Sequence, residues 1–183
     1  MKKAYVFLAE GFEECEALIV VDILRRAGFD CRTLSISDAA MVESSHKVKV
    51  LADGLASDED LSSADIVILP GGIPGTYNLA ESNLVKKACT DYSKGKYVAA
   101  ICAAPSILSS LGITDGKNAT CAPAFEEKMG NAALTHSSVA VDGNIITGQG
   151  LGAAIPFALK IVEMLESKDL SDKIAAKICY KTL

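Results

Sequence analysis

The chain has no tryptophan and only two histidines, His46 and His136. Its six cysteines (Cys15, Cys31, Cys89, Cys102, Cys121 and Cys179) form no C-x-x-C pair and no metal-finger spacing, so no metal centre is expected. Basic runs are also missing. Lys2-Lys3 is only a pair and the formal net charge is −5, which argues against a phosphate-binding surface and against nucleic acid as a partner. The first apolar run, Ala4 to Ala9, is too short for a signal segment or a membrane span, and Glu10, Glu13, Glu14 and Glu16 follow at once. The glycine-rich loop from Gly148 to Gly152 lacks the third glycine and the acidic partner of a dinucleotide fingerprint, so no cofactor is expected either. What remains is a cytoplasmic protein, off the membrane, whose cysteines are free thiols in a reducing compartment.

The composition is that of a folded domain. Half of the 183 residues are hydrophobic and 22% are charged, which fits one unit over residues 1–183 with a close-packed centre. Short apolar runs at Lys3 to Ala9, Asp65 to Leu69 and Val98 to Ile101 read as strands, the last two buried on both faces. Helical stretches alternate with them: Glu13 to Ala27 stopped by Gly28, Asn83 to Lys94 stopped by Gly95, Ala153 to Leu165, and Leu170 to Tyr180. Asp142-Gly143 between two apolar runs suits a hairpin turn. The pattern predicts an α/β fold with a mainly parallel sheet covered by helices on both faces.

Cys102 stands on a joint. Tyr97 to Ile101 is strand-like, and Pro105 marks the first turn of a following helix. A sulfur beside a helix N-terminus meets unpaired N–H groups, which favour a thiolate and lower its pKa. A cysteine that ends an apolar strand equally suits plain packing. In a parallel sheet the loops beyond the carboxyl ends of the strands gather near the topological switch. Three loops meet there: Glu10 to Glu16, Pro70 to Gly75, and Cys102. Gly71 and Gly72, with the N–H of Ala103, are candidate oxyanion donors. Glu16 would act either as a protonated hydrogen-bond donor to the sulfur or as an ionised base.

These residues carry a resemblance. Gly11-Phe12-Glu13-Glu14-Cys15-Glu16-Ala17, Arg25-Arg26-Ala27-Gly28, Val67 to Gly72 and Ala99 to Pro105 are similar to the signatures of the ThiJ/PfpI family, in its parkinsonism-associated deglycase branch within the class I glutamine amidotransferase-like superfamily. Gln149-Gly150-Leu151-Gly152 with Phe157-Ala158-Leu159 continues it, so the match spans nearly the whole chain. The resemblance implies a flavodoxin-like three-layer sandwich, a homodimer, a nucleophilic and easily oxidised Cys102, and a protonated Glu16 touching its sulfur. It implies action on 2-oxoaldehydes such as methylglyoxal or on their glycated adducts, as glyoxalase III or protein deglycase. The rival readings are an oxidative-stress sensor or redox chaperone, and an amidase or intracellular peptidase. An older label of the family is thiazole monophosphate biosynthesis. Some relatives carry a histidine near the cysteine, where Ala122 stands here, so a Cys-His pair is not expected and His136 reads as a loop residue. Cys121 is a candidate resolving thiol. Arg26 and His46 fall where relatives place basic residues near their dimer contact, as candidates for binding an anion or as plain solvated charges, and Gly150 and Gly152 are candidates for the pocket border.

Overall fold

The computed structural model describes residues 1–181; residues 182 and 183 of the expected 1–183 unit lie outside the described residues. The chain opens with β1 (Lys3–Leu8), α1 (Glu14–Arg26) and β2 (Asp30–Ser35), followed by the short strands β3 (Met41–Glu43), β4 (Lys49–Leu51) and β5 (Gly54–Leu55). Next come β6 (Ile66–Leu69), α2 (Gly75–Glu81), α3 (Asn83–Tyr92), β7 (Tyr97–Ile101) and α4 (Pro105–Ser110). The last third contains β8 (Asn118–Ala119), β9 (Ala133–Leu134), β10 (Val139–Asp142), β11 (Ile145–Gly148), α5 (Ala154–Leu165) and α6 (Lys168–Lys177).

Seven strands form the central sheet in the order β10-β11-β7-β6-β1-β2-β5. All its pairings are parallel except β10 with β11, the hairpin turning at Gly143, whose φ is +61°. Alternation along β1 shows how both faces are filled. Ala4, Val6 and Leu8 point into a core shared with α1, α5 and α6, whereas Tyr5 and Phe7 point into the opposite core with Leu79, Val85 and Leu108 of α2, α3 and α4. This is the expected three-layer α/β sandwich with a mainly parallel sheet.

The helix α1 begins where it does for local reasons. The Glu13 carboxylate accepts the N–H of Glu16 at 2.6 Å, acidic residues fill the first turn, Arg25 and Arg26 fill the last, and Gly28 takes φ +82° beyond it. Its buried face is Glu16, Ala17, Val20, Val21, Ile23 and Leu24. Glu16 is thus a carboxyl on an otherwise apolar stripe. The connection from β1 leads to β2 on one side, and the chain then returns to place β6 on the other, so the switch point lies at the carboxyl end of β1.

Candidate active site

The loops after β1 and β6 are in direct backbone contact. A Cβ on Gly72, whose φ is +92°, would lie 2.3 Å from the Glu13 nitrogen, and one on Gly75 would lie 2.5 Å from the Phe12 nitrogen. Only glycine permits this approach. It brings Gly71 onto the end of β7: a Cβ there would lie 2.7 Å from both Cys102 Cβ and Glu16 Oε2, and 3.2 Å from Cys102 Sγ. The three loops that the sequence sends to one edge therefore meet around a single glycine.

Cys102 itself has φ +64°, a left-handed conformation that a side chain rarely adopts. Its N–H donates to Gly148 O at 2.9 Å and its carbonyl accepts from the Ala122 N–H at 2.8 Å, so both neighbouring segments hold the turn. The residue is partly exposed at the border of the larger core. Strand, strained residue and helix together form a nucleophile-elbow geometry.

Glu16 is 1% exposed. Gly71 donates its N–H to Glu16 Oε2 at 2.9 Å, and the carboxyl lies beside the Cys102 thiol with its other oxygen, Oε1, buried and without a hydrogen-bond partner. Burial lifts the Glu16 pKa to about 7, against the pull of the Cys102 thiol and the Gly71 N–H, and the nearby Glu13 charge adds to the rise. Burial thus favours the protonated carboxyl below the neutral range. The thiol behaves otherwise than expected. Burial pushes the Cys102 pKa up and the Glu16 carboxylate pushes it further, while the N–H groups of Ala103 and Gly72 pull it down. The lowering expected beside a helix start is outweighed by burial first and by the neighbouring Glu16 carboxylate second.

Each of the two groups thus disfavours the charged form of the other.

The oxyanion candidates divide. The N–H groups of Gly72 and Ala103 approach the sulfur of Cys102. The N–H of Gly71 is engaged by Glu16, so it orients the carboxyl and is not a free oxyanion donor. Cys121 donates to Ala122 O at 3.4 Å and packs with Ala119 and Met129 in a small separate cluster. His136 is exposed and contacts Glu126 Oε1 at 3.1 Å, which is the loop role expected of it. Arg26 pairs with Asp22 at 2.6 Å, and His46 with Glu14 at 3.1 Å, so both expected anion binders already face carboxylates. Glu13 is the residue that the sequence reading did not single out. Its position three residues before Glu16, as the helix cap, is the signal that points to it.

With an elbow cysteine, a buried glutamic acid and a glycine between them, comparison with known proteins becomes informative. Residues 2–164 match the DJ-1/PfpI family. This chain belongs to that family. It is 37% identical over 186 residues to Protein DJ-1 homolog B of Arabidopsis thaliana, covering 98% of this chain and 42% of that protein. The chain thus spans less than half the length of this plant DJ-1 relative. It is 31% identical to the glutathione-independent glyoxalase DJR-1.2 of Caenorhabditis elegans, covering 97% of this chain and 96% of that protein. Among solved structures, the oxidized DJ-1 of Toxoplasma gondii superposes with a TM-score of 0.94 at 34% identity, covering both chains fully. The DJ-1/PfpI fold is flavodoxin-like, as the resemblance implied.

Proposed function

We propose that this chain is a cysteine-dependent enzyme acting on 2-oxoaldehydes or their early adducts, with Cys102 as nucleophile and Glu16 as acid and base. The observation that carries the reading is the meeting of the elbow sulfur and a buried carboxyl at Gly71, where one added methyl would lie 3.2 Å from Cys102 Sγ and 2.7 Å from Glu16 Oε2, while Glu16 Oε1 is buried without a partner. A general acid or base works best when its pKa lies near the operating pH. The glyoxalase named among the relatives supports the substrate class.

In this mechanism the Glu16 carboxylate takes the thiol proton as Sγ attacks the aldehyde carbon, and a C–S bond replaces the carbonyl π bond. The N–H groups of Gly72 and Ala103 lie beside the sulfur and receive the developing oxyanion, which the Glu16 proton then neutralises to a hemithioacetal. Glu16 next removes the proton from the former aldehyde carbon and returns one to the adjacent ketone carbon, while the hydroxyl proton of the hemithioacetal passes to the former ketone oxygen and its own oxygen becomes the thioester carbonyl. The product is a 2-hydroxyacyl thioester. Water cleaves its C–S bond, releasing the 2-hydroxy acid and restoring the thiol. Methylglyoxal plus water gives lactic acid with no net redox change. Deglycation would follow the same route, with the adduct releasing its amine or thiol when Cys102 displaces it.

The assay is lactate formation from methylglyoxal without glutathione. Cys102→Ser is expected to lose turnover by at least about 100-fold, and Glu16→Gln by roughly 100- to 10,000-fold. Full turnover by Cys102→Ser overturns the mechanism.

A second reading, an oxidative-stress sensor, is favoured by the same N–H pair at the sulfur, which would accept the oxygens of a sulfinate, and by the oxidized state of the Toxoplasma relative's structure. Amide hydrolysis is disfavoured because Ala122 offers no proton to a leaving amine. We also infer a homodimer joined through the α1 face, where Leu18 is 38% exposed beside Cys15, Ile19 and Ile155. Among the described residues no helix is long and apolar enough to cross a membrane. Six free cysteines fit a reducing compartment such as the cytoplasm.

A further inference from the structure

Three backbone N–H groups around Gly71 form a closed circuit. Glu13 N–H donates to Gly71 O at 2.9 Å, Gly71 N–H donates to Glu16 Oε2 at 2.9 Å, and Glu16 N–H donates back to Glu13 Oε2 at 2.6 Å. Each residue of the circuit is both donor and acceptor. Gly71 has no rotamer to adjust, and it is the residue packed against Cys102. Two of the three links are made by carboxylate oxygens, and one of those belongs to Glu13.

We propose that Glu13 is a positioning residue for the Cys102–Glu16 pair: its carboxylate closes the circuit that fixes the Glu16 backbone, the Gly71 peptide and hence the distance between carboxyl and thiol. The proposal rests on the reading of Cys102 and Glu16 as the reacting pair. Glu13 itself is 9% exposed and does not need to touch a substrate. A plain helix cap would stop at the Glu16 N–H. Here the backbone of the same residue also anchors Gly71 from the other side, so the cap and the elbow contact cannot move independently.

The charge of Glu13 has a second consequence. It lies close enough to Glu16 to disfavour ionisation there. The other charged or titratable groups facing this corner are Glu14 and Cys15 on the same helix, His46 from the β3–β4 turn, 4.0 Å from Glu13 Oε1, and Cys102 from the elbow. Removing the Glu13 charge while keeping its oxygen should therefore lower the pH at which the pair begins to ionise, with the geometry retained.

The test is the pH dependence of Cys102 alkylation by iodoacetamide, read on the Cys102 peptide by mass spectrometry, in the full chain and its Glu13→Gln, Glu13→Ala and Glu16→Gln variants. Glu13→Gln keeps an acceptor for the Glu16 N–H, and is expected to retain the plateau rate within about twofold while its inflection moves to lower pH. Glu13→Ala opens the circuit and is expected to lose about tenfold or more in plateau rate. If folded Glu13→Gln and Glu13→Ala both reproduce the wild-type profile while Glu16→Gln does not, the positioning role is overturned and the catalytic pair stands. If Glu16→Gln also reproduces the wild-type profile, the reading of the pair itself fails. Should Glu13→Ala not fold, Glu13→Met, which keeps the length of the side chain but offers the Glu16 N–H no oxygen, takes its place: a wild-type plateau rate in that variant overturns the proposal.

Discussion

The N–H of Ala122 donates to the carbonyl of Cys102 at 2.8 Å, so the side chain carried by this neighbour of the elbow cysteine is a methyl group. Amide cleavage requires proton delivery to a poor leaving group, and no imidazole is held here to supply it. Peptide and simple amide substrates are expected to show no turnover above background under conditions in which methylglyoxal is consumed. A continuous assay with an amide and the corresponding thioester side by side checks this, since the thioester needs no protonated leaving group.

Gly71 is the tightest point of the site. A methyl added there would lie 2.7 Å from Cys102 Cβ and from Glu16 Oε2, and neither neighbour can retreat without opening the elbow or breaking the bond to the Gly71 N–H. Gly71→Ala is expected to cost about 1–3 kcal/mol of stability, as overpacking does, and to lower activity by more than tenfold. Urea unfolding with parallel lactate measurement tests both effects.

The left-handed backbone of Cys102 predicts an inverted order among substitutions. At φ +64° any L side chain is strained, whereas glycine is not. Cys102→Gly is expected to be more stable than Cys102→Ala by about 1 kcal/mol, the reverse of what holds in a strand or helix interior. Denaturant midpoints of the two inactive variants measure the difference directly.

Much of this architecture can be read from the residues alone. The continuous run Val98–Ile101 announces a strand covered on both faces, and Pro105 marks the helix start beyond the elbow. Glu16 stands out because it falls on the apolar face of α1. The hairpin of β3 and β4 was only half legible, since Met41–Glu43 is three residues long and its exposed Met41 breaks the alternation of a strand. The direction of the Cys102 shift was not legible. It depends on how deeply the sulfur is buried and on which N–H groups reach it, and both follow from long-range packing. For the same reason the sequence could not tell that the Gly71 N–H would be taken by a carboxylate 55 residues away.

The raised pKa of Glu16 also has a sign in stability. A carboxyl that ionises near 7 in the folded chain and at its ordinary value of 4.5 when unfolded keeps its full contribution below about 4.5, and loses it as pH rises through 7. The loss amounts to about 3 kcal/mol between those limits. Wild type is expected to lose stability over this window relative to Glu16→Gln, which has no such proton to release. Urea unfolding from pH 4.5 to 8 for both proteins checks the difference in slope.

Oxidation separates the thiols by exposure and by neighbouring N–H groups. Burial pushes the pKa of Cys31, Cys89 and Cys102 alike up to about 12, but Cys31 and Cys89 are buried, whereas Cys102 is partly exposed and has the N–H groups of Ala103 and Gly72 beside its sulfur. Under graded peroxide Cys102 is expected to be oxidised well before Cys31 or Cys89. Peptide mass spectrometry that found the buried pair reacting as fast as Cys102 would count against the sensor reading.

The central claim is that the protonation of Glu16 governs the reactivity of Cys102, and the most direct test is the alkylation rate of Cys102 against pH in wild type and Glu16→Gln. The account predicts an inflection near pH 7 in wild type that vanishes in Glu16→Gln, leaving a single rise at the thiol's own higher pKa. Superimposable profiles in the two proteins would contradict it.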